Sequence, residues 1–566
     1  MNNSLFKKMI AYLSPFSLLL MACPPPIKPD TSVDTNQQTE PAAETISFTS
    51  PQECQECHPI QFEEWQGSAM HAASSPTFAA FELVMNRITN GAFAHGSGTA
   101  NENFCSGCHI PNAVLEERLT PLDQFGGIEN LIPSIEDANS ESLVGVNCHF
   151  CHSVQEIDSS HSIAGDGLGT SKVLVHDTNG LIQGGYETNL SPHGAEENTL
   201  FKSASFCGSC HDVRSPKPDV LTGEPFLRVE ETFTEWQNSD WASGNGQNPI
   251  GEPVSCQGCH MSNYPQGLPN ERPTTAITNM VGIPQREHAN HNFTAVSIAL
   301  HDDPNVPQVD SFDVDNDGVI QTQEERRESM LKAACTLIIG NTTTKKLQND
   351  MESIRIHLDI TNVGAGHDVP SGFSQEREMW VELTLRDEAG TVLYRSGYLE
   401  DTPHQSTGEM QADGRLHDED LLHRSYDIDP DTLGGTIGDG PDADQRPNGT
   451  NLGLAYFNND FEYIDPDTGE ISIVLTPFHA NHVNNDRAIA AFETREVLYD
   501  IPVDPNSITG NIQVEARLLF RAFPPKFLRL LNHHAPQLVT EAMIDRNTIV
   551  EMNATSLTIR NTISTP

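Results

Sequence analysis

Five copies of Cys-x-x-Cys-His punctuate residues 54 to 260: Cys54-Cys57-His58, Cys105-Cys108-His109, Cys148-Cys151-His152, Cys207-Cys210-His211 and Cys256-Cys259-His260. This is the spacing of covalent attachment to c-type haem. The two thiols add to the porphyrin vinyl groups, and the adjacent histidine becomes the proximal iron ligand. Zinc and redox-dithiol chemistry also use paired cysteines. A zinc ribbon needs two pairs around one metal, and a redox dithiol needs no trailing histidine, so neither accounts for a five-fold repeat. The sequence predicts five haems.

Each iron has a sixth position, and what fills it separates an electron carrier from an enzyme. Of the 23 histidines, five are proximal and eighteen remain; methionine is sparse at 13. His71 follows the first motif on an expected helix, and His193 precedes the fourth. His291 is preferred to His288 in the stretch after the fifth motif. His367 lies in a loop between two expected strands, from which it could reach a haem edge. His149 sits inside the third motif and competes with His95, His161 and His176 for a neighbouring iron. His357, His404, His417 and His423 read as surface residues. A neutral imidazole is needed at every ligand position, with a carbonyl or carboxylate to accept its distal N–H.

A second metal pattern follows the haem motifs. Asp313, Asp315 and Asp317, the carbonyl of Val319 and the carboxylate of Glu324 occupy the ligand positions of an EF-hand loop, with Gly318 at its sharp turn and Ile320 as its apolar residue. A single loop predicts a structural Ca2+ clip rather than a paired sensor.

The elements that must hold these groups change along the chain. Residues 1–22 carry Lys7 and Lys8, an apolar stretch and Leu20-Met-Ala-Cys23, an order that resembles a bacterial lipoprotein signal peptide with Cys23 as the lipid-modified terminus. Residues 23–49 read as a flexible stalk. Residues 50–301 form the expected pentahaem domain, mainly α and irregular, with the porphyrins as its apolar core. Residues 302–340 are a connector holding the calcium loop and a helix that begins at Gln323. Cys335, at the apolar end of that helix, reads as a packing residue.

From 341 to 566 the apolar period becomes two: Ile354, Ile356, Leu358 and Ile360, then Val381, Leu383 and Leu385, then Ile512, Val514, Ala516 and Leu518. Asp387 to Gly390 and Tyr463 to Glu470 read as hairpin turns, so an antiparallel β-sandwich is expected. The Asp- and Gly-rich stretch from Asp427 to Gly449 reads as a surface loop inserted in it.

Charge restricts the partners. The 32 basic and 79 acidic residues give a formal charge of −47, which repels nucleic acid and anionic lipid and favours redox partners with basic docking surfaces. After the leader no run approaches the roughly 18 apolar residues of a membrane helix. Membrane contact is expected through the lipid anchor alone, in the periplasm or at the outer membrane or cell surface.

Several segments resemble multihaem cytochromes c of the tetrahaem cytochrome and hydroxylamine oxidoreductase superfamily. They are Cys57-His-Pro with Trp65, Ser68 and His71, Gly145-Val-Asn-Cys148, Phe206 to Val213 and Val254 to Met261. Thr361 to Phe373 and Phe520 to Pro525 resemble a β-domain appended to many bacterial members. The resemblance implies closely stacked haems with mostly bis-histidine ligation, and the superfamily holds both carriers and enzymes. None of the five motifs ends in Lys, unlike the catalytic haem of many pentahaem nitrite reductases. Three functions remain open. They are an electron conduit, an oxidoreductase acting on a small nitrogen or sulfur species at a five-coordinate haem, and a surface structural or filament subunit.

Overall fold

Alternating side chains dictate the C-terminal half. The computed structural model describes residues 47–88, 105–116, 144–157, 174–176, 182–186, 191–215, 217–297, 321–340, 342–346, 352–398, 402–403, 410–411, 425–429, 431–438 and 454–560. The strand Glu352–Asn362 buries Ile354, Ile356, Leu358 and Ile360. It pairs antiparallel with Thr494–Val503 on one side, and with Thr343–Lys346 and Cys335–Ile339 end to end on the other. A second antiparallel sheet runs Val392–Ser396, Glu378–Asp387, Ile512–Arg521 and Ile549–Ile559, with Ala455–Tyr456 as a short addition. Side chains of both sheets, among them Leu358, Tyr499, Leu383 and Val514, share one core.

The expected turns are present. Asp387 heads the hairpin into Val392–Ser396 by accepting the Thr391 amide. Asp465 caps the turn between Asp460–Ile464 and Ile471–Val474 by accepting the amides of Asp467 and Thr468. The expected loop after Asp427 begins differently. Ser425–Ile428 and Gly435–Gly438 form a hairpin that extends a third, five-stranded sheet. Burial of Ile428 and Leu433 outweighs the Asp and Gly content that marked this stretch as a loop. Residues 439–449 lie outside the described residues.

The connector helix is Gln323–Ala334. Thr322 caps it and Glu325 reciprocates, a capping box that fixes its start. Cys335 then opens a strand, fully buried, and burial pushes its thiol up to about 12.

Two further cores tie the haem-motif region to the sheets, and residues 46–566 form one compact unit. The helix Pro76–Ile88 sets Ala80, Val84 and Met85 against Phe527, Leu528 and Leu531 of the amphipathic helix Pro525–His534. Leu227 and Val229 pack with Phe461, Val474 and Val483.

One charged pair is fully enclosed: Arg521 donates from Nε to Glu378 at 2.7 Å across adjacent strands. Glu378→Ala should lower unfolding stability by about 3–5 kcal/mol, because a guanidinium is left uncompensated in the core. Glu328→Ala, at the exposed pair with Lys332, should cost at most about 1 kcal/mol. Denaturant titrations followed by far-UV circular dichroism compare the two. Equal losses would contradict this account.

Candidate haem-binding site

A Cys-x-x-Cys-His run can present both thiols and its imidazole to one plane only if the backbone coils, since residues i, i+3 and i+4 share a helical face. Motifs three and five are such turns, Cys148–His152 and Cys256–His260. In the first, second and fourth, the histidine amide donates back to the first cysteine carbonyl: His58 to Cys54 at 2.8 Å, His109 to Cys105 at 3.2 Å and His211 to Cys207 at 2.9 Å. Asn147 caps the third by accepting the Phe150 amide. Before it, Gly145 has φ +53°, and a side chain there would collide with the carbonyl oxygens of Met70 and His71. The third motif is thereby seated against the segment that follows the first. Trp65 Nε1 donating to the Val146 carbonyl at 2.8 Å secures the same contact.

Each proximal ring has its Nδ1–H occupied. His58 donates to the Ile277 carbonyl at 2.6 Å, His109 to Ala73 at 2.9 Å, His152 to Gln183 at 2.6 Å and His260 to Thr294 at 2.6 Å. His211 instead donates to the carboxylate of Glu230 at 3.0 Å. With Nδ1 engaged, Nε2 is the nitrogen left to bind metal.

Three of these rings face a second imidazole. Ring centroids of His58 and His193, of His152 and His291, and of His260 and His367 each lie 6.4 Å apart. Two metal–imidazole bonds of about 2 Å each, plus the reach of two rings, require a separation of about 6 Å. The opposing rings also donate from Nδ1 to carbonyls: His193 to Gly194 at 2.5 Å, His291 to Ala289 at 2.7 Å and His367 to Asp368 at 2.8 Å. These residues fit an iron held between two imidazoles. Among the described residues no imidazole faces His109 or His211 at this spacing. Phe78 stacks on His109 at 3.9 Å.

Burial favours the neutral form of five of these imidazoles. It depresses His291 to about 3, with His288 and His152 adding to the effect, and His367 to about 4. His109, His152 and His260 are lowered for the same reason. His211 is the exception. Burial opposes its charge, but the hydrogen bond and charge of Glu230 reverse this and raise it to about 9.

Two supports fix the distal loops. Glu64, buried at 1% exposure, accepts from His288 Nε2 at 2.9 Å and from the His291 amide at 2.9 Å. The loop of His367 hangs from Asn362, whose amide group donates to the His367 carbonyl at 2.8 Å and to Ile489 at 3.1 Å. Gly366 lets that loop lie against Trp236 and Trp241.

The motifs also touch one another. The thiols of Cys54 and Cys148, of Cys108 and Cys210, and of Cys207 and Cys256 lie near enough to shift one another's titration. Motif one therefore adjoins three, and motif four adjoins both two and five. Cys151 of motif three lies within electrostatic reach of Cys207 and Cys210. The fourth motif is the junction.

Not every expected ligand is brought to a motif imidazole. His71 opens a 3-10 turn, edge-on to Trp65 at 4.7 Å, and no motif imidazole among the described residues faces it. His149 is buried and accepts the Thr49 amide at 2.6 Å, edge-on to Phe48; it too faces no motif imidazole among them. Of the expected calcium ligands only Glu324 is described, bonded to Arg327 and Thr548. Asp313, Asp315, Asp317 and Val319 lie outside the described residues, as do the leader, Cys23, His95 and His161, and the side chain of His176. Among the described residues no helix is long and apolar enough to cross a membrane. Sequence reasoning missed Glu230 and Glu64, since a carboxylate's partner carries no local spacing signal. It also left open which motif each distal histidine serves.

The model of the family Cytochrome c554 and c-prime matches residues 53–153. No curated protein matches the chain. Among solved structures, a penta-heme cytochrome c552 from Thermochromatium tepidum is similar at 18% identity, covering 90% of this chain and 99% of that one with a TM-score of 0.48. The matched segment contains the first three attachment motifs, and with their geometry it defines a multihaem c-type cytochrome.

His193→Ala, His291→Ala and His367→Ala should each open one iron without unloading the thioether links. Each variant is expected to gain one high-spin signal in the ferric electron paramagnetic resonance spectrum, and carbon monoxide binding when reduced. A variant that stays wholly low-spin would remove that histidine from the ligand set.

Proposed function

We propose that the chain is an extracytoplasmic five-haem electron-transfer protein, with haem bound at Cys54/Cys57, Cys105/Cys108, Cys148/Cys151, Cys207/Cys210 and Cys256/Cys259. The observation that carries this reading is the set of three imidazole pairs at 6.4 Å, with Nδ1 of each ring tied to a carbonyl. Bound haem supplies the one-electron iron couple. The protein's own part is to close both axial positions with neutral imidazole, to exclude water by burial, and to hold neighbouring motifs in contact. Closed irons favour carriage over substrate conversion.

Several further assignments belong to this reading. A lipid anchor at Cys23 tethers the protein at a membrane surface. The second half is a β-sandwich appended to the haem region. A basic redox partner docks on acidic surface. Support for that partner comes from the formal charge of −47.

The test is the purified protein's haem content and spin state. Pyridine haemochrome assay and intact mass should give five covalent haems, and the reduced protein should show a majority of irons that bind no carbon monoxide. Colourless protein of bare polypeptide mass would end the proposal. Carbon monoxide on most irons would favour an oxidoreductase.

Calcium binding is tested separately. If Asp313, Asp315, Asp317, Val319 and Glu324 hold Ca2+, chelation should lower the thermal midpoint; at 100 times Kd the ion contributes about 2.7 kcal/mol. Asp315→Ala should abolish the response to calcium. A midpoint indifferent to chelator would exclude the clip.

A further inference from the structure

Four proximal imidazoles lean on neutral backbone carbonyls, those of Ile277, Ala73, Gln183 and Thr294. The fifth, His211, leans on an anion, Glu230 Oε1, at 3.0 Å. The difference is chemical as well as geometric. A carboxylate accepts a charge-assisted hydrogen bond and draws the Nδ1 proton more strongly than a peptide oxygen does. That raises the basicity of Nε2 and stabilises the more positive, ferric state of a bound iron.

The carboxylate is built in rather than adventitious. Its backbone amide donates to the Val213 carbonyl at 3.0 Å, two residues beyond His211, so the pair is held by one short β-contact. The Glu230 side chain is only 12% exposed. The nearby arginine that could neutralise it is engaged elsewhere: Arg228 binds Glu224 at 2.7 Å and Glu231 at 2.8 Å. Arg377 feels the Glu230 charge, but it donates to the Ala522 carbonyl at 2.9 Å and Ser297 at 3.1 Å. Among the described residues His211 is the only ion-pair partner of Glu230.

We propose that Glu230 is a positioning residue that gives the haem bound at Cys207, Cys210 and His211 the most negative midpoint potential of the five. The inference rests on the haem reading above and deepens it. The same motif is the junction where thiols of motifs two and five meet it. Electron density then resides on the flanking sites, and the junction transmits without storing.

The experiment uses the full-length holoprotein. Glu230→Gln replaces the anion with a neutral acceptor of the same shape, like those at the other four rings; Glu496→Gln, at an exposed carboxylate on the strand Thr494–Val503, is the control. In a reductive spectroelectrochemical titration, the most negative of the five steps should move to more positive potential in Glu230→Gln. The other four steps should move by less, because the Glu230 charge reaches His109 and His367 only at longer range, and Glu496→Gln should match the parent. An unmoved step, or an equal drift of all five, overturns the proposal. If Glu230→Gln does not accumulate, Glu230→Asp decides: the carboxylate retracts by one methylene, and the same step must shift positive by a smaller amount or the proposal falls. A haemochrome assay on every variant separates the two levels. Five haems without a shift overturn the role of Glu230 alone, whereas missing covalent haem overturns the attachment reading and this inference with it.

Discussion

An imidazole can offer Nε2 to a metal only while its Nδ1 carries the proton, and a ring free to rotate or change tautomer offers it only part of the time. Eight of the candidate ligand rings meet that condition through a fixed acceptor: five proximal and three opposing. Seven acceptors are backbone carbonyls. A carbonyl can serve only if its own strand or turn is held still. Several of the segments that carry these carbonyls, at Gln183, Gly194, Ala289 and Thr294, serve this need. Short contacts secure Gly145, Val146 and Glu64 beside these rings.

That condition also explains why the haem region is not a string of independent modules. His58 faces a ring from between the third and fourth motifs, His152 one from beyond the fifth, and His260 one from the sheet half. Each pair closes a long loop, whose entropy cost grows only slowly with length. Apolar contacts share the load. The Pro76–Ile88 helix packs on the Pro525–His534 helix, and Leu227 packs on Phe461. Thus the element types change near residue 340, but the cores on either side are joined.

Local patterns in the sequence revealed much of this. The alternation at Ile354 to Ile360 and Val381 to Leu385 reads directly as strands, because period two has a single structural meaning once one face is buried. The attachment motifs are equally legible, since chemistry fixes their spacing. His193, His291 and His367 stood out as candidates, but their partners did not, because facing rings are a tertiary relation with no local period. Glu230 was silent for the same reason. The hairpin at Ser425 to Gly438 was hidden by Asp and Gly, whose turn preference is real but yields when Ile428 and Leu433 can be buried.

The sheet half is more than an appendage to the haem motifs. His367 stands on a loop whose shape is set from the sheets: Asn362 ends the long strand and binds the loop's carbonyl, Val369 exchanges backbone hydrogen bonds with Ile489, and Val363 donates to the Ala334 carbonyl at the end of the connector helix. Tyr264, just past the fifth motif, donates to the Gly364 carbonyl at 3.0 Å and locks loop to motif. A rigid two-sheet core is thus connected through one strand end to an imidazole 6.4 Å from His260. Rigidity matters at that point because a metal–ligand distance tolerates little error, and a strand anchored on both edges moves less than a free loop. The core's packing therefore bears on where the His367 ring stands relative to His260.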